Sequence, residues 1–406
     1  MKKSLCVIIS IILIYCLSTG YTESSLTETE KLVIVKMGNA YSLNEMEYAE
    51  REGRDLLVIG NSNCTPAWVA QQIDSGNDTV DIFSIKTNMQ GYRDLLNKGY
   101  CASINEMKHV IDHLDQMPKS IKSALGDKNY IYAVPESISW TSSSYLVCDT
   151  THPLWEEYNL ASNHSIESIL HMLIDLSDQN RLDEYWLWSD HADVGHLYNL
   201  CIVGCINYLI ASNQLEDVES DRYRDLFRQF DRVRTALLNR NDPYSMSMPL
   251  FYPVNLGNES LISQENKAIV LMSPFPDQED FLQISLQVYI MNPKAPHYNQ
   301  IADFFNFIVE SYTPFQSLCF SPNSAEPIED SHYEITKTRW IISPELISWY
   351  QQYEGNIYVV QNGLLSSFWD NSGLSEEKKY FEGYLSIDDY MDFFLRKLKL
   401  LKAEEE

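Results

Sequence analysis

Basic side chains are scarce in this chain. Lys and Arg number 30 against 57 Asp and Glu, a formal net charge of −27 over 406 residues. Such a surface repels phosphate backbones, which excludes nucleic acid as a partner and disfavours anionic ligands outside a local basic pocket. The same acid also serves simply to keep a protein soluble. Catalytic signatures are missing as well. There is no Gly-x-Ser-x-Gly, no phosphate-binding glycine loop and no His-Glu-x-x-His. Beyond the first twenty residues the cysteines are Cys64, Cys101, Cys148, Cys201, Cys205 and Cys319. They are too dispersed for a disulfide framework and lack the Cys-x-x-Cys or histidine cluster of a zinc site. They read as small buried hydrophobes.

Acid pairs exist at Asp183-Glu184 and Asp190-x-x-Asp193, and a glycosidase needs two carboxylates about 5–9.5 Å apart across a bond. Among 57 acids these read as solvated surface, and His191 and His196 beside them do not match a ligand spacing. No catalytic residue, metal ligand or cofactor is therefore expected. Internal repeats and low-complexity tracts are also missing, apart from a short Ser, Thr and Glu-rich tether.

What is present begins at the N-terminus. Lys2 and Lys3 precede an apolar run from Leu5 to Leu17. A basic start followed by an apolar stretch shorter than the ~20 residues of a membrane span reads as a signal peptide over residues 1–20. Ser18-Thr19-Gly20 offers a cleavage site. Leu13-Ile14-Tyr15-Cys16 offers a degenerate lipobox ending at Cys16, and an uncleaved anchor is the third alternative. A tether over 21–31 follows. The expected location is secreted or held at the outer face of the cytoplasmic membrane or in a periplasm.

With 45% hydrophobic and 21% charged residues the rest is globular, and its length suits two lobes of ~150–200 residues each. Lys31–Lys36, Asp55–Ile59 and Val80–Ile85 read as strands, and Trp68–Asp74 and Tyr92–Lys98 as the helices between and after them. This alternation implies a parallel or mixed α/β sheet. Tyr130–Pro135 and Ser143–Cys148 continue the strands. A helix-rich stretch follows, with Ile166–Leu176, Val194–Ala211 and Tyr223–Asn239. Strands return at Ala268–Met272 and Ile284–Ile290, then a helix over Asn299–Glu310. Ser343-Pro344 marks a helix start, and Ser386-Ile-Asp-Asp opens a final helix over Tyr390–Leu401.

Five ordered segments resemble the extracellular solute-binding proteins of the family-1 type, the maltose-binding-like group that serves ABC importers. They are Ile73–Phe83, Gly99–Ile104, Asn129–Pro135 with its Tyr-Ala-Val-Pro, Ile284–Phe307 with its Ile-Ala-Asp-Phe-Phe helix, and Tyr384–Tyr390. Val80 stands where members often have Pro, and Lys36-Met-Gly-Asn39 lacks their usual Trp. The resemblance implies the class II periplasmic-binding-protein fold: two α/β lobes joined by hinge strands, crossing near Ser142–Val147, near Phe281–Leu286 and between Glu326 and Ile342. Residues 32–142 and 286–330 would form the first lobe, and 143–285 and 331–406 the second. It implies a monomer that captures a small solute, a sugar or oligosaccharide, for an ABC permease. The alternatives are an exported two-lobed hydrolase and a ligand sensor docking on a membrane kinase; a polyamine or cationic peptide would suit the acidic charge.

Ligands of open α/β sheets sit beyond the carboxyl ends of the strands. That rule nominates Asn39, Asn61, Asn63, Ser84 and Lys86, whose side chains can bond sugar hydroxyls. The flat, C–H-lined face of a sugar ring also calls for aromatic platforms. Trp140 next to the first crossing, Trp186 and Trp188 in the second lobe, and Tyr252 and Trp369 are the candidates. Each competes with a packing or turn role.

Overall fold

Short β-branched runs open the described chain. In the computed structural model, which describes residues 31–38, 41–52, 55–189, 192–240, 248–252, 266–333, 338–361, 363 and 374–405, β1 (Leu32–Lys36), β2 (Leu56–Gly60) and β3 (Ile82–Lys86) lie parallel with β1 central. Parallel neighbours require a crossover, and α1 (Leu43–Glu52) and α2 (Pro66–Asp74) provide it. The second helix starts where its sequence dictates: Thr65 accepts the N–H of Trp68, and Pro66 takes a first-turn position that needs no donor. The expected signal peptide and most of the tether, residues 1–30, lie outside the described residues.

Two long strands extend this sheet. β4 (Ala133–Trp140) leads through a turn at Thr141–Ser144 to β5 (Tyr145–Asp149). A helical section follows, with α3 (Ile166–Asp178), α4 (Asp193–Ala211) and α5 (Asp221–Asn239). By length and composition α4 is apolar enough to cross a membrane. Its Leu197, Cys201, Ile202, Cys205 and Leu209 instead fill a protein core. The chain then forms β6 (Phe251–Tyr252), β7 (Lys267–Leu271) and β8 (Leu282–Met291). β8 is antiparallel to β3 on one side and to β4 on the other. Next come α6 (Tyr298–Glu310), α7 (Pro314–Phe320) and a hairpin of β9 (Ile328–Tyr333) and β10 (Thr338–Ile342). α8 (Pro344–Tyr353), capped by Ser343 on the N–H of Leu346, leads to β11 (Ile357–Val359), which pairs with the first residues of β8. α9 (Leu374–Phe381) and α10 (Ile387–Glu405) end the described chain.

The apolar side chains separate into two cores. One joins β1 to β4, β8, α6 to α8 and β11; the other joins α3 to α5 with α9 and α10. Between them lies a second sheet, β6-β5-β7, whose faces divide by the two-residue period of a strand. Leu146, Cys148, Phe251 and Val270 enter the second core, while Tyr145, Val147, Tyr252 and Ile269 pack on the first. The chain passes between cores at 141–144 and again before Leu282. The third passage differs. Ile342 to Val359, expected with the second lobe, pack in the first core because β11 completes the first sheet beside Leu282–Ile284, so this passage falls after Val360.

The first passage is gripped from the second lobe. Asn199 and Asn207 of α4 donate to the hydroxyls of Ser142 and Ser143. A β-carbon at Gly204 would stand 2.7 Å from the carbonyl oxygen of Ser143, so this approach requires glycine.

Candidate functional site

Cross-strand partners share a face, and this fixes what the first sheet displays where the chain crosses. Ser137 pairs with Gln287, Ser139 with Ser285, Lys86 with Gln287, and Tyr358 with Gln283. All therefore lie on one face, at the carboxyl end of β3. The opposite face carries Ile138, Ile284, Leu286 and Val288, all buried. Ser137, Ser139, Ser285, Gln287 and Tyr358 are half-buried, Lys86 is exposed, and exposed Ser142 continues the strip into the passage between lobes. The result is a band of hydroxyls and amides at the junction of the two lobes. Gln283 adds an unmet demand. It is 1% exposed and its Oε1 has no hydrogen-bond partner among the described residues. Burying an unsatisfied acceptor costs about 1–3 kcal/mol, a cost that a donor arriving from a bound molecule would remove.

Behind the strip lies a charged network. Lys36 Nζ, at the end of β1, donates to Glu45 Oε1 at 3.0 Å, Glu45 Oε2 at 3.1 Å and Glu136 Oε1 at 2.6 Å. Tyr289 donates to Glu45 Oε1 at 2.9 Å and the Ser42 N–H to Glu45 Oε2 at 2.6 Å. Ser84 donates to Glu136 Oε2 at 2.5 Å, and Gln287 Nε2 donates to Ser84 at 2.8 Å. Glu45, Glu136, Lys36 and Ser84 are all buried. Burial pushes the Glu136 carboxyl above its ordinary value, Lys36 pulling it only part of the way back. Burial alone would lower the Lys36 ammonium, but the charges of Glu136 and Glu45 hold it above its usual value. The two carboxylates nearest the strip are thus committed to a cation.

The candidates nominated from sequence scatter. Lys86 lies on the strip and Ser84 directly behind it. Asn61 accepts from the Asn63 N–H at 2.9 Å, a turn contact at the end of β2, with Asn63 exposed. Asn39 and Trp369 lie outside the described residues, as do Asp190 and His191. Trp140 is turned to the opposite face from the strip. It is 4% exposed, stacks on Tyr350 at 5.9 Å and 15°, and meets Phe315, Trp349 and Tyr145 within 5.6 Å. Its register partner is Ile284, so strand alternation sends the ring into the core rather than the cleft. Trp188 is likewise core, 1% exposed between His196 and Phe251. The half-buried Trp186 donates its indole N–H to the Trp188 carbonyl. Tyr252 is half-buried on the inter-lobe face of its sheet, with Lys267 Nζ 3.8 Å from its ring centre. The six described cysteines are all buried and unpaired, and burial pushes the Cys64 thiol up to about 12.

Sequence reasoning missed Ser137, Ser139, Gln283, Ser285, Gln287 and Tyr358. Their signal was present: Glu-Ser-Ile-Ser-Trp and Gln-Ile-Ser-Leu-Gln place polar residues at every second position of otherwise apolar strands.

Neither a protein-family model nor a curated protein matches the sequence. Solved structures do match. A periplasmic solute-binding protein from Pectobacterium atrosepticum SCRI1043 aligns at 12% identity over 93% of this chain and 100% of that one, with a TM-score of 0.56. An ABC-transporter solute-binding protein from Agrobacterium radiobacter K84, in complex with ribitol, aligns at 13% identity over 92% and 99%, with a TM-score of 0.55. Maltose-bound T. maritima MalE3 aligns at 11% identity over 91% and 99%, with a TM-score of 0.53. The fold is that of the two-lobed periplasmic solute-binding proteins.

Proposed function

We propose that this protein captures a small, neutral, polyhydroxylated solute between its lobes and presents it to an ABC permease outside the cytoplasmic membrane, without altering it. The observation that carries this reading is the strip of Ser137, Ser139, Ser285, Gln287 and Tyr358 on strands that belong to the lobe junction. Hydroxyls and amides both donate and accept, as sugar hydroxyls do, and Tyr358 adds a ring for an apolar sugar face. Lobes that share crossing strands can swing together as a hinge and trap what lies on those strands. Two fold neighbours support the ligand class, one solved with ribitol and one with maltose. Glu45 and Glu136 are buried against Lys36, which suits binding better than acid–base hydrolysis.

A thermal-shift panel of sugars, sugar alcohols, amino acids and polyamines tests this. A matching solute at about 100 times its dissociation constant stabilises the folded state by about 2.7 kcal/mol, and mass spectrometry recovers it unchanged. Stabilisation by polyamines or amino acids alone, or recovery of a cleaved sugar, contradicts the reading.

A further inference from the structure

The network behind the strip dictates the orientation of one strip residue through a chain of forced hydrogen-bond roles. An ammonium only donates, so Glu136 Oε1, 2.6 Å from Lys36 Nζ, accepts. With Glu136 ionised, the state its contact with Lys36 favours, the other oxygen, Oε2, also accepts, and its donor is the Ser84 hydroxyl. A serine hydroxyl has one proton. With that proton given to Glu136, Ser84 Oγ can only accept from Gln287, whose Nε2 stands 2.8 Å away. The Gln287 amide is thereby fixed with its nitrogen inward. Its side chain forms no other hydrogen bond among the described residues, and the residue is half-exposed on the strip. What it offers to a solute is the carbonyl oxygen, which only accepts.

We propose that Glu136 is a positioning residue that sets the polarity of the solute site: through Ser84 it holds the Gln287 amide oxygen toward the junction, so the solute must present a donor there, a hydroxyl rather than a carboxylate or carbonyl. This rests on the strip being the solute site. Lys86, the register partner of Gln287, is exposed on a flexible stem and by itself would favour a carboxylate. The fixed amide opposes that preference, and buried Glu136 keeps it fixed.

Glu136→Gln inverts the relay. Lys36 still demands an acceptor, so the new amide turns its oxygen to Lys36 and its nitrogen to Ser84. Ser84 then accepts from residue 136 and donates to the Gln287 oxygen, and Gln287 presents its NH2 group outward. The first measurement uses the protein without solute: hydrogen exchange of the Gln287 side-chain amide by NMR, its signal identified by its loss in Gln287→Ala. The wild-type amide protons, bonded to Ser84, exchange about tenfold more slowly than those of E136Q, roughly the worth of one hydrogen bond. Ser84→Ala breaks the same relay at a small residue and gives the fast rate even if E136Q folds poorly. Equal exchange in wild type and S84A overturns the proposal. The second measurement titrates the neutral sugar found by the thermal-shift panel, and its uronic acid, against both proteins. Wild type prefers the neutral sugar by about tenfold or more, and E136Q narrows that ratio. A ratio unchanged in E136Q overturns the specificity role. If no sugar binds, the solute reading fails, while the exchange result still decides the relay.

Discussion

Lys36→Met destabilises the protein by about 3–5 kcal/mol, the usual cost of removing one partner from a buried ion pair. The cost comes from what remains. Glu45 is 0% and Glu136 5% exposed, and both lose the cation that offsets their desolvation. The Glu136 carboxyl, already held above its ordinary value by burial, then rises further. Between the ordinary and the raised value the folded state binds more protons than the unfolded chain, so stability falls as pH rises through that window. The deficit of the variant is therefore largest near neutral pH and shrinks as pH is lowered toward 5. Urea denaturation at several pH values measures it. A loss below about 1 kcal/mol at pH 7, or one independent of pH, would show that the triad is not buried as described.

Trp140→Ala costs about 3–5 kcal/mol, the range for deleting a large buried aromatic side chain. The indole sits among Tyr145, Phe315, Trp349 and Tyr350, and these join β4, β5, α7 and α8, so the cavity opens where the lobes meet. Trp140→Phe costs less than its size change suggests, because the indole N–H is buried with no partner among the described residues and its removal relieves that penalty. Denaturation of the two variants checks both. A loss under about 1 kcal/mol for W140A, combined with weakened sugar binding, would return Trp140 to the role of an exposed platform.

Most of the fold was legible because local signals agreed with the tertiary outcome. The apolar runs of β1, β3 and β8, the Thr65-Pro66 and Ser343-Pro344 starts and the amphipathic α6 each specify one element. The β9–β10 hairpin was not legible, since Ile-Glu-Asp-Ser-His-Tyr has no clean period. The third crossing was misplaced for a related reason: whether Ile357-Tyr-Val359 adds to the first sheet depends on a free edge of β8 some 70 residues earlier in the chain.

The site was half legible. The rule of strand carboxyl ends nominated Ser84 and Lys86, which lie behind and on the proposed strip and depend only on where β3 stops. Aromatic content pointed to Trp140 and Trp188, which depend on what packs over them, and long-range contacts place both in cores. The polar residues at period two in β4 and β8 were visible, but short strands buried on both faces commonly carry a few hydroxyls. Register was needed to show that Ser137 and Ser139 of β4 share the face of Ser285 and Gln287 of β8.

Calorimetric titration of Ser285→Trp with the sugar that stabilises the wild type tests the central claim. Ser285 is half-buried in the middle of the strip, so an indole there occupies the solute's place while both cores stay intact. The expected result is a folded protein that no longer binds. Unchanged affinity in a folded S285W protein would place the solute elsewhere and contradict the account.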